Sequence, residues 1–236
     1  MLKTLKWDTD FFNLPFIQLD DPFQCSELEK TTYEMPTFFA QTLQNIEETK
    51  NIQKFEKYGF NFVDLRITFN LKINQLSTTE LNPIFIIKQS QVDDYERLRL
   101  IAPMLAKHSR FENYFPNHKI INLYEKWLFN AIHGLYDDLS FHILYEKEYA
   151  GFITLKKDNN SAKIGLLAIN KKFQGKSLGS SLIKFIIDYS IKHSISLIQV
   201  ITEGKNIQAQ NFYIKNGFTI EKIESWLYKS KNISTC

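Results

Sequence analysis

Between residues 60 and 71 apolar positions recur around polar ones, with Phe60, Phe62, Ile67 and Phe69 marking the period of a half-buried β-strand. The polar stretch 74–82 that follows reads as a linker. Residues 85–88 predict a strand and residues 92–105 a helix. A second helix is expected over 119–131, where Ile120, Leu123, Trp127 and Ala131 fall on one face as a buried stripe. Residues 140–146 and 151–156 predict two strands joined by a turn, and 163–169 a third. Leu178, Leu182, Phe185, Ile186 and Tyr189 then keep helical spacing, and 197–201, of Val and Ile character, reads as a buried strand. A short helix over 206–216, stopped by Gly217, and a strand over 225–229 complete the pattern. No period of 20 to 50 residues recurs, so a repeat architecture is excluded.

All six prolines lie before residue 117, whereas six of the eight glycines lie from 151 onward. The two halves are therefore built differently. Glycine is scarce enough in 236 residues that each one marks a backbone requirement rather than background usage. A chain of this length encloses one or two hydrophobic cores, and 44% hydrophobic with 23% charged residues is a globular balance. The formal charge of +3 is too small and dispersed to call for nucleic acid or an anionic membrane surface. Apolar runs such as 84–87 and 166–169 fall far short of the ~20 residues of a membrane helix, so no membrane insertion is expected. Trp7, Asp8 and Asp10 interrupt the place where a secretion signal would be apolar, and a cytoplasmic protein is expected. Cys25 and Cys236 give neither a metal-ligand spacing nor a disulfide framework, and no metal is expected.

The chemically informative stretch is Lys171-Lys172-Phe173-Gln174-Gly175-Lys176-Ser177-Leu178-Gly179-Ser180, between an expected strand and an expected helix. Small residues at Gly175, Ser177, Gly179 and Ser180 let the backbone approach a ligand, and the helix start offers unpaired N–H groups with a positive dipole end. Phosphate oxygens satisfy both. The stretch is neither a P-loop nor a dinucleotide fingerprint, and an ordinary turn with solvated lysines is the competing reading.

Farther on, Thr202-Glu203-Gly204-Lys205-Asn206 leads into Ala209, Phe212-Tyr213 and Gly217-Phe218. With the loop, this constellation resembles the GNAT acetyltransferase superfamily, whose pattern is Gln/Arg-x-x-Gly-x-Gly/Ala after a central strand, then Asn, Ala and Phe-Tyr-x-x-x-Gly-Phe. Gln174, Gly179, Asn206, Ala209, Phe212, Tyr213, Gly217 and Phe218 match; Ser177 departs where glycine is usual. The segments Leu5-Lys6-Trp7-Asp8-Thr9-Asp10-Phe11-Phe12, Gly59-Phe60-Asn61-Phe62-Val63-Asp64, Ser109-Arg110-Phe111 and Ser225-Trp226-Leu227-Tyr228-Lys229 further look like the TDP-fucosamine acetyltransferases, which N-acetylate TDP-4-amino-4,6-dideoxygalactose.

The resemblance implies an α/β GNAT fold with a mixed, mostly antiparallel, splayed central sheet. It divides the chain into an N-terminal unit, 1–80, that helps bind a nucleotide-sugar acceptor and a GNAT catalytic domain, 81–236, that binds acetyl-CoA. It implies direct acetyl transfer to an amino sugar for lipopolysaccharide or other surface-polysaccharide synthesis, with a homodimer left open. Leu167, Ala168 and Ile169 would face the pantetheine and the thioester carbonyl. Gln174, Gly175, Lys176, Ser177, Leu178, Gly179 and Ser180 would hold the pyrophosphate, and Asn206 would bond the pantetheine or the adjoining helix. Tyr213 would be the general acid that protonates the departing thiolate, against the reading of Phe212 and Tyr213 as core aromatics.

For the base, Asp64 and His108 are candidates and neither is assigned; an exposed structural carboxylate is the alternative for Asp64. Arg110 suits the nucleotide's phosphates by its fork geometry, against a surface salt bridge. Trp7, Phe11 and Phe12 read as packing rather than as a stack on thymine. Lys184, Lys192, Lys205, Lys215, Lys222, Lys229 and Lys231 read as a solvated face. Neither cysteine has a base nearby in sequence, which disfavours a covalent enzyme intermediate. The rival functions are acetylation of a protein, polyamine or antibiotic amine, and a non-catalytic acyl-CoA-binding protein.

Overall fold

The computed structural model describes residues 2–73 and 85–233. The expected linker at 74–82 lies outside them. Ten strands form one sheet in the order β1-β2-β3-β10-β4-β9-β8-β7-β6-β5. The strands are β1 (Lys3–Thr4), β2 (Phe16–Leu19), β3 (Phe38–Asn45), β4 (Asn61–Lys72), β5 (Phe85–Gln89), β6 (Leu139–Tyr145), β7 (Glu148–Asp158), β8 (Ser161–Ile169), β9 (Leu197–Glu203) and β10 (Thr219–Lys231). The helices are α1 (Lys6–Phe12), α2 (Cys25–Thr32), α3 (Thr49–Lys57), α4 (Tyr95–Leu98), α5 (Asn117–Ile132), α6 (Leu178–Lys192) and α7 (Ile207–Lys215). Among the described residues no helix is long and apolar enough to cross a membrane.

The sheet is mixed and mostly antiparallel: among the described residues only β2 with β3 and β8 with β9 run parallel. The last strand, β10, inserts between β3 and β4, so strands from both ends of the chain share one hydrogen-bonded ladder. Alternation decides which face each side chain covers. Ile67, Phe69 and Leu71 of β4 meet Leu182 and Ile186 of α6 on one side of the sheet. On β10, Leu227 packs with Phe55 and Phe60, while its neighbour Tyr228 joins Phe12, Phe39 and Phe111 in a separate cluster. Leu128 and Ala102 cover Phe152, Leu166 and Ala168.

The helix expected over 92–105 is broken. A 3-10 turn at Val92–Asp94 leads into the four-residue α4, and a second 3-10 segment, Ala102–His108, follows. Pro103 explains the break, because it has no N–H to donate and its ring crowds the preceding turn. Trp7, Phe11 and Phe12 divide: Phe12 is buried in the aromatic cluster, whereas Trp7 is 43% exposed and stacks on Phe11 at 5.2 Å. The stripe on α5 is in place, with Ile120, Leu123 and Ala131 buried.

Candidate active site at a fork in the sheet

β8 and β9 pair in parallel from Ser161↔Leu197 to Ile164↔Val200, and there the recorded register ends. Beyond it β8 follows β7 through Ile169↔Gly151, and β9 follows β4 through Glu203↔Arg66. The strands therefore fork, and backbone groups at the inner edges of Leu167, Ala168 and Ile169 lose a neighbouring strand. Such groups require a partner, which an extended amide-bearing ligand supplies.

A register shift reinforces the fork. On β7, Ile153 faces Leu167 and Leu155 faces Ile164, so Gly165 and Leu166 together oppose Thr154. This is a β-bulge, which bends a strand and raises its twist. Its polar groups are satisfied from below: the Leu166 N–H donates to Thr154 Oγ1 (2.9 Å), and that hydroxyl donates to Asp137 Oδ2 (2.5 Å). The Trp127 indole N–H also reaches Asp137 Oδ2, at 3.3 Å. A β-carbon on residue 165 would lie 2.4 Å from the same carboxylate oxygen, so only glycine leaves room for it.

The loop after β8 has the backbone of an anion cradle. Gly175 (φ +79°) and Ser177 (φ +60°) are both left-handed, and Ser177 opens the 15-residue α6 without a side-chain cap. The space beside the Gly175 α-carbon is open. Uncapped N–H groups at the start of a helix, with the dipole behind them, fit a pyrophosphate. Gln174 Nε2 donates to the Ile169 carbonyl (3.2 Å) and ties the loop to the end of β8. A β-carbon on Gly179 would come within 3.2 Å of the Phe212 ring, so this glycine sets how closely α6 and α7 approach. Lys172 pairs with Glu148 Oε2 at 2.6 Å, and Lys176 lies over the Tyr145 ring. Among these lysines, then, Lys172 is already engaged by a carboxylate.

Asn206 caps α7, its Oδ1 accepting the Ala209 N–H (3.1 Å), which is the adjoining-helix alternative for that residue. Tyr213 sits on the α6 side of the sheet among Phe69, Phe212 and Phe218. Its ring is buried, and burial pushes the phenol above its ordinary range. The group is thus protonated at neutral pH, the state a proton donor needs. Cys25 is buried with its thiol pushed up to about 11 by that burial, which suits packing rather than nucleophilic attack.

On the opposite face, β4 and the loops beside it bring polar and charged groups together between the apolar clusters. Asp64 is 5% exposed, not a surface carboxylate; its Oδ1 accepts the N–H groups of Leu65 (2.8 Å) and Lys205 (3.2 Å). A bulge at Val63, between the pairs Asp64↔Trp226 and Phe62↔Leu227, precedes it on β4. Among the described residues Arg110 makes no surface salt bridge either. Its guanidinium lies over the rings of Trp226 (4.0 Å) and Phe111 (4.1 Å) and donates to Gln41 Oε1 (2.8 Å) and the Tyr228 hydroxyl. Lys205, expected on a solvated face, instead joins elements: it donates to the Ser109 carbonyl (3.1 Å) and Glu112 Oε1 (2.6 Å) and stands 3.9 Å from Asp64 Oδ2. His108 ends the 3-10 segment before Ser109 and makes no ion pair among the described residues.

The residue that sequence reasoning missed is Glu203, the last of β9. Burial lifts its carboxyl to about 7 against the pull of Arg110, with Asp64 adding to the rise and Lys205 and Arg66 opposing it. Its Oε2 and Asp64 Oδ2 are enclosed and meet no hydrogen-bond partner among the described residues. The available signal was a carboxylate at the end of an apolar strand, directly before the Gly204 turn. Among the described residues no group of three or more His, Cys, Asp or Glu side chains is arranged to hold a metal ion.

The model of the acetyltransferase (GNAT) family matches residues 105–218. Streptothricin acetyltransferase of Escherichia coli is 28% identical over 96 residues, which cover 40% of this chain and 55% of that enzyme. The chain thus matches little more than half the length of this relative. A GCN5-related N-acetyltransferase from Sphaerobacter thermophilus superposes with a TM-score of 0.61 at 8% identity, covering 92% of this chain and 73% of that one. A tandem GNAT protein from the clavulanic acid biosynthesis pathway gives a TM-score of 0.62 at 10% identity, covering 94% and 77%. At such identities the likeness is one of fold, and with the forked sheet it leads to one conclusion: the chain has a GNAT fold, within which residues 105–218 match the model of the acetyltransferase (GNAT) family.

Proposed function

We propose that this protein is an acetyl-CoA-dependent N-acetyltransferase whose acceptor is the amine of a nucleotide-linked amino-deoxy sugar of the TDP-4-amino-4,6-dideoxyhexose type. The observation that carries the transferase reading is the fork of β8 and β9 followed by the uncapped start of α6. Acetyl-CoA supplies an activated acetyl thioester. Leu167, Ala168 and Ile169 offer backbone groups to its arm, residues 174–180 cradle the pyrophosphate, and Tyr213 gives a proton to the leaving sulfur. Transfer is direct, since the buried Cys25 thiol stays protonated.

Support for the sugar acceptor comes from where distant segments meet. Arg110 and Phe111 pack with Trp226 and Tyr228, and Lys205 links Ser109 to Asp64. Arg110 also exerts a field on the partly buried Asp8, whose carboxyl burial has raised. The four segments resembling the TDP-fucosamine acetyltransferases thus converge on one face beside the fork. In this reading Arg110 takes a phosphate of the nucleotide, residues 1–80 form the acceptor-binding unit, and the enzyme works in the cytoplasm on surface-polysaccharide precursors.

A second reading, acetylation of a cationic antibiotic amine, is favoured by the carboxylates of Asp8, Asp64 and Glu203 on that face and by the partial likeness to streptothricin acetyltransferase. Thiol release from acetyl-CoA, measured against TDP- and UDP-linked amino sugars, streptothricin, aminoglycosides, polyamines and a basic peptide, separates the two. Release with a nucleotide sugar alone supports the first; release only with the antibiotics replaces it with the second.

A further inference from the structure

We propose that Glu203, set beside Asp64 at the mouth of the fork between β8 and β9, receives the acceptor's ammonium group and takes its proton. This deepens the transferase reading and rests on it.

The placement comes first. Ile198 and Val200 of β9 point into the core under α6, so by alternation Glu203 lies on the register of the other face. There it is within electrostatic reach of Asp64 and Arg66 on β4, Arg110 and Lys205 on the flanking loops, Tyr124 on α5 and Tyr228 on β10. Tyr213 belongs to the α6 side. Acid and base candidates therefore stand on opposite faces of one sheet, and the gap between the strands joins the two faces.

The second observation is a pair of orphaned oxygens. Glu203 Oε2 and Asp64 Oδ2 are both enclosed and lack hydrogen-bond partners among the described residues, and Asp64 is 95% buried. Enclosed carboxylate oxygens without donors are costly unless a ligand completes them. An ammonium, with three N–H donors and one positive charge, matches two such oxygens in charge and in hydrogen bonding. The two carboxylates are not equivalent. Asp64 is committed, with one oxygen on two backbone amides and the other 3.9 Å from the Lys205 ammonium. Glu203 has no ion pair among the described residues and is the one able to gain a proton near neutrality.

The step balances as follows. The ammonium gives one proton to the Glu203 carboxylate, and the freed nitrogen lone pair forms the C–N bond at the thioester carbonyl. The C–S bond then breaks with its electron pair on sulfur, which receives the Tyr213 phenolic proton. The second nitrogen proton restores the phenol, and Glu203 returns its proton to solvent. One amide, one thiol and one released proton result.

The test is a pH profile of kcat/KM from about pH 5 to about pH 9 for wild type, Glu203→Gln and Glu203→Asp, with TDP-4-amino-4,6-dideoxygalactose, streptothricin and spermidine as the acceptors tried. The expected wild-type profile rises through about 7 and levels off. Glu203→Gln should lose about 10²- to 10⁴-fold and the rising limb with it, while acetyl-CoA affinity by calorimetry stays unchanged. In parallel, carbon-13 NMR of glutamate-labelled protein without substrates should show one carboxyl titrating near 7 that vanishes in Glu203→Gln. An unchanged limb in Glu203→Gln, or a Glu203 carboxyl titrating in the ordinary range, overturns the proposal and leaves the transferase reading standing. If Glu203→Gln no longer binds acetyl-CoA, Glu203→Asp decides: a displaced limb supports the proposal and a wild-type profile overturns it. Absence of thiol release by wild type with every acceptor removes the transferase reading, and the role of Glu203 falls with it.

Discussion

The Leu166 N–H donates to the Thr154 hydroxyl across the one place where two residues of β8 oppose one of β7. In a regular ladder that amide would bond to a backbone carbonyl. Here a side chain takes the bond, and the Asp137 carboxylate holds the side chain in turn. The bulge is thus supported from within the protein before any ligand arrives.

Thr154→Val keeps the shape of this buried side chain and removes both bonds. The amide and the carboxylate oxygen are then short of partners, which should cost about 1–3 kcal/mol of folding stability. Chemical denaturation measures it. Acetyl transfer should fall through kcat more than through the KM for acetyl-CoA, because the pyrophosphate loop is untouched. A stability equal to wild type would show that the network carries no strain of the bulge.

Ser177→Gly tests the loop from the other side. Serine occupies a left-handed conformation (φ +60°) that glycine adopts without a side-chain clash. Relief of about 1 kcal/mol is expected, partly offset by the greater entropy of an unfolded glycine. Thermal denaturation should show a rise, and calorimetry a tighter acetyl-CoA complex. Weaker binding would mean that the Ser177 hydroxyl itself contacts the ligand.

Tyr213→Phe removes one hydroxyl from a packed aromatic group and leaves the ring contacts with Phe69 and Phe218. Stability and acetyl-CoA affinity should change little, whereas kcat should fall about 10²-fold or more. An unchanged kcat would return Tyr213 to the role of a core aromatic.

The raised carboxyl of Glu203 also ties stability to pH. Its folded value of about 7 lies above the ordinary 4.5, so the folded state favours the protonated form. That contribution is complete below about 4.5 and is lost as pH rises through about 7. Glu203→Gln has no such proton to lose. The variant should therefore gain stability relative to wild type as pH rises across this window, by on the order of 3 kcal/mol, read as a widening gap between two melting curves. A constant gap would place Glu203 in water.

The sequence by itself determined most of the C-terminal architecture. Strands and helices from residue 117 onward follow from periodicity, because each buries one face and the spacing of apolar side chains records which. The small residues Gly175, Ser177, Gly179 and Ser180 were readable for a local reason, since a left-handed turn before an uncapped helix start restricts the residue type, whereas Asn206 was singled out only through the family resemblance. Short, irregular elements were not. Pro103 divides an otherwise helical pattern, and the N-terminal strands and helices draw their stability from partners far along the chain, such as β3 from β10.

Tertiary structure alone decided the chemistry around the fork. No local spacing connects Arg110 to Trp226 and Tyr228, or Asp64 to Lys205; strand order brings them together. The same holds for Glu203. Its residue type is commonplace after an apolar strand, and only enclosure beside Asp64 and Arg110 changes its proton affinity, since desolvation and neighbouring charge are properties of place rather than of sequence.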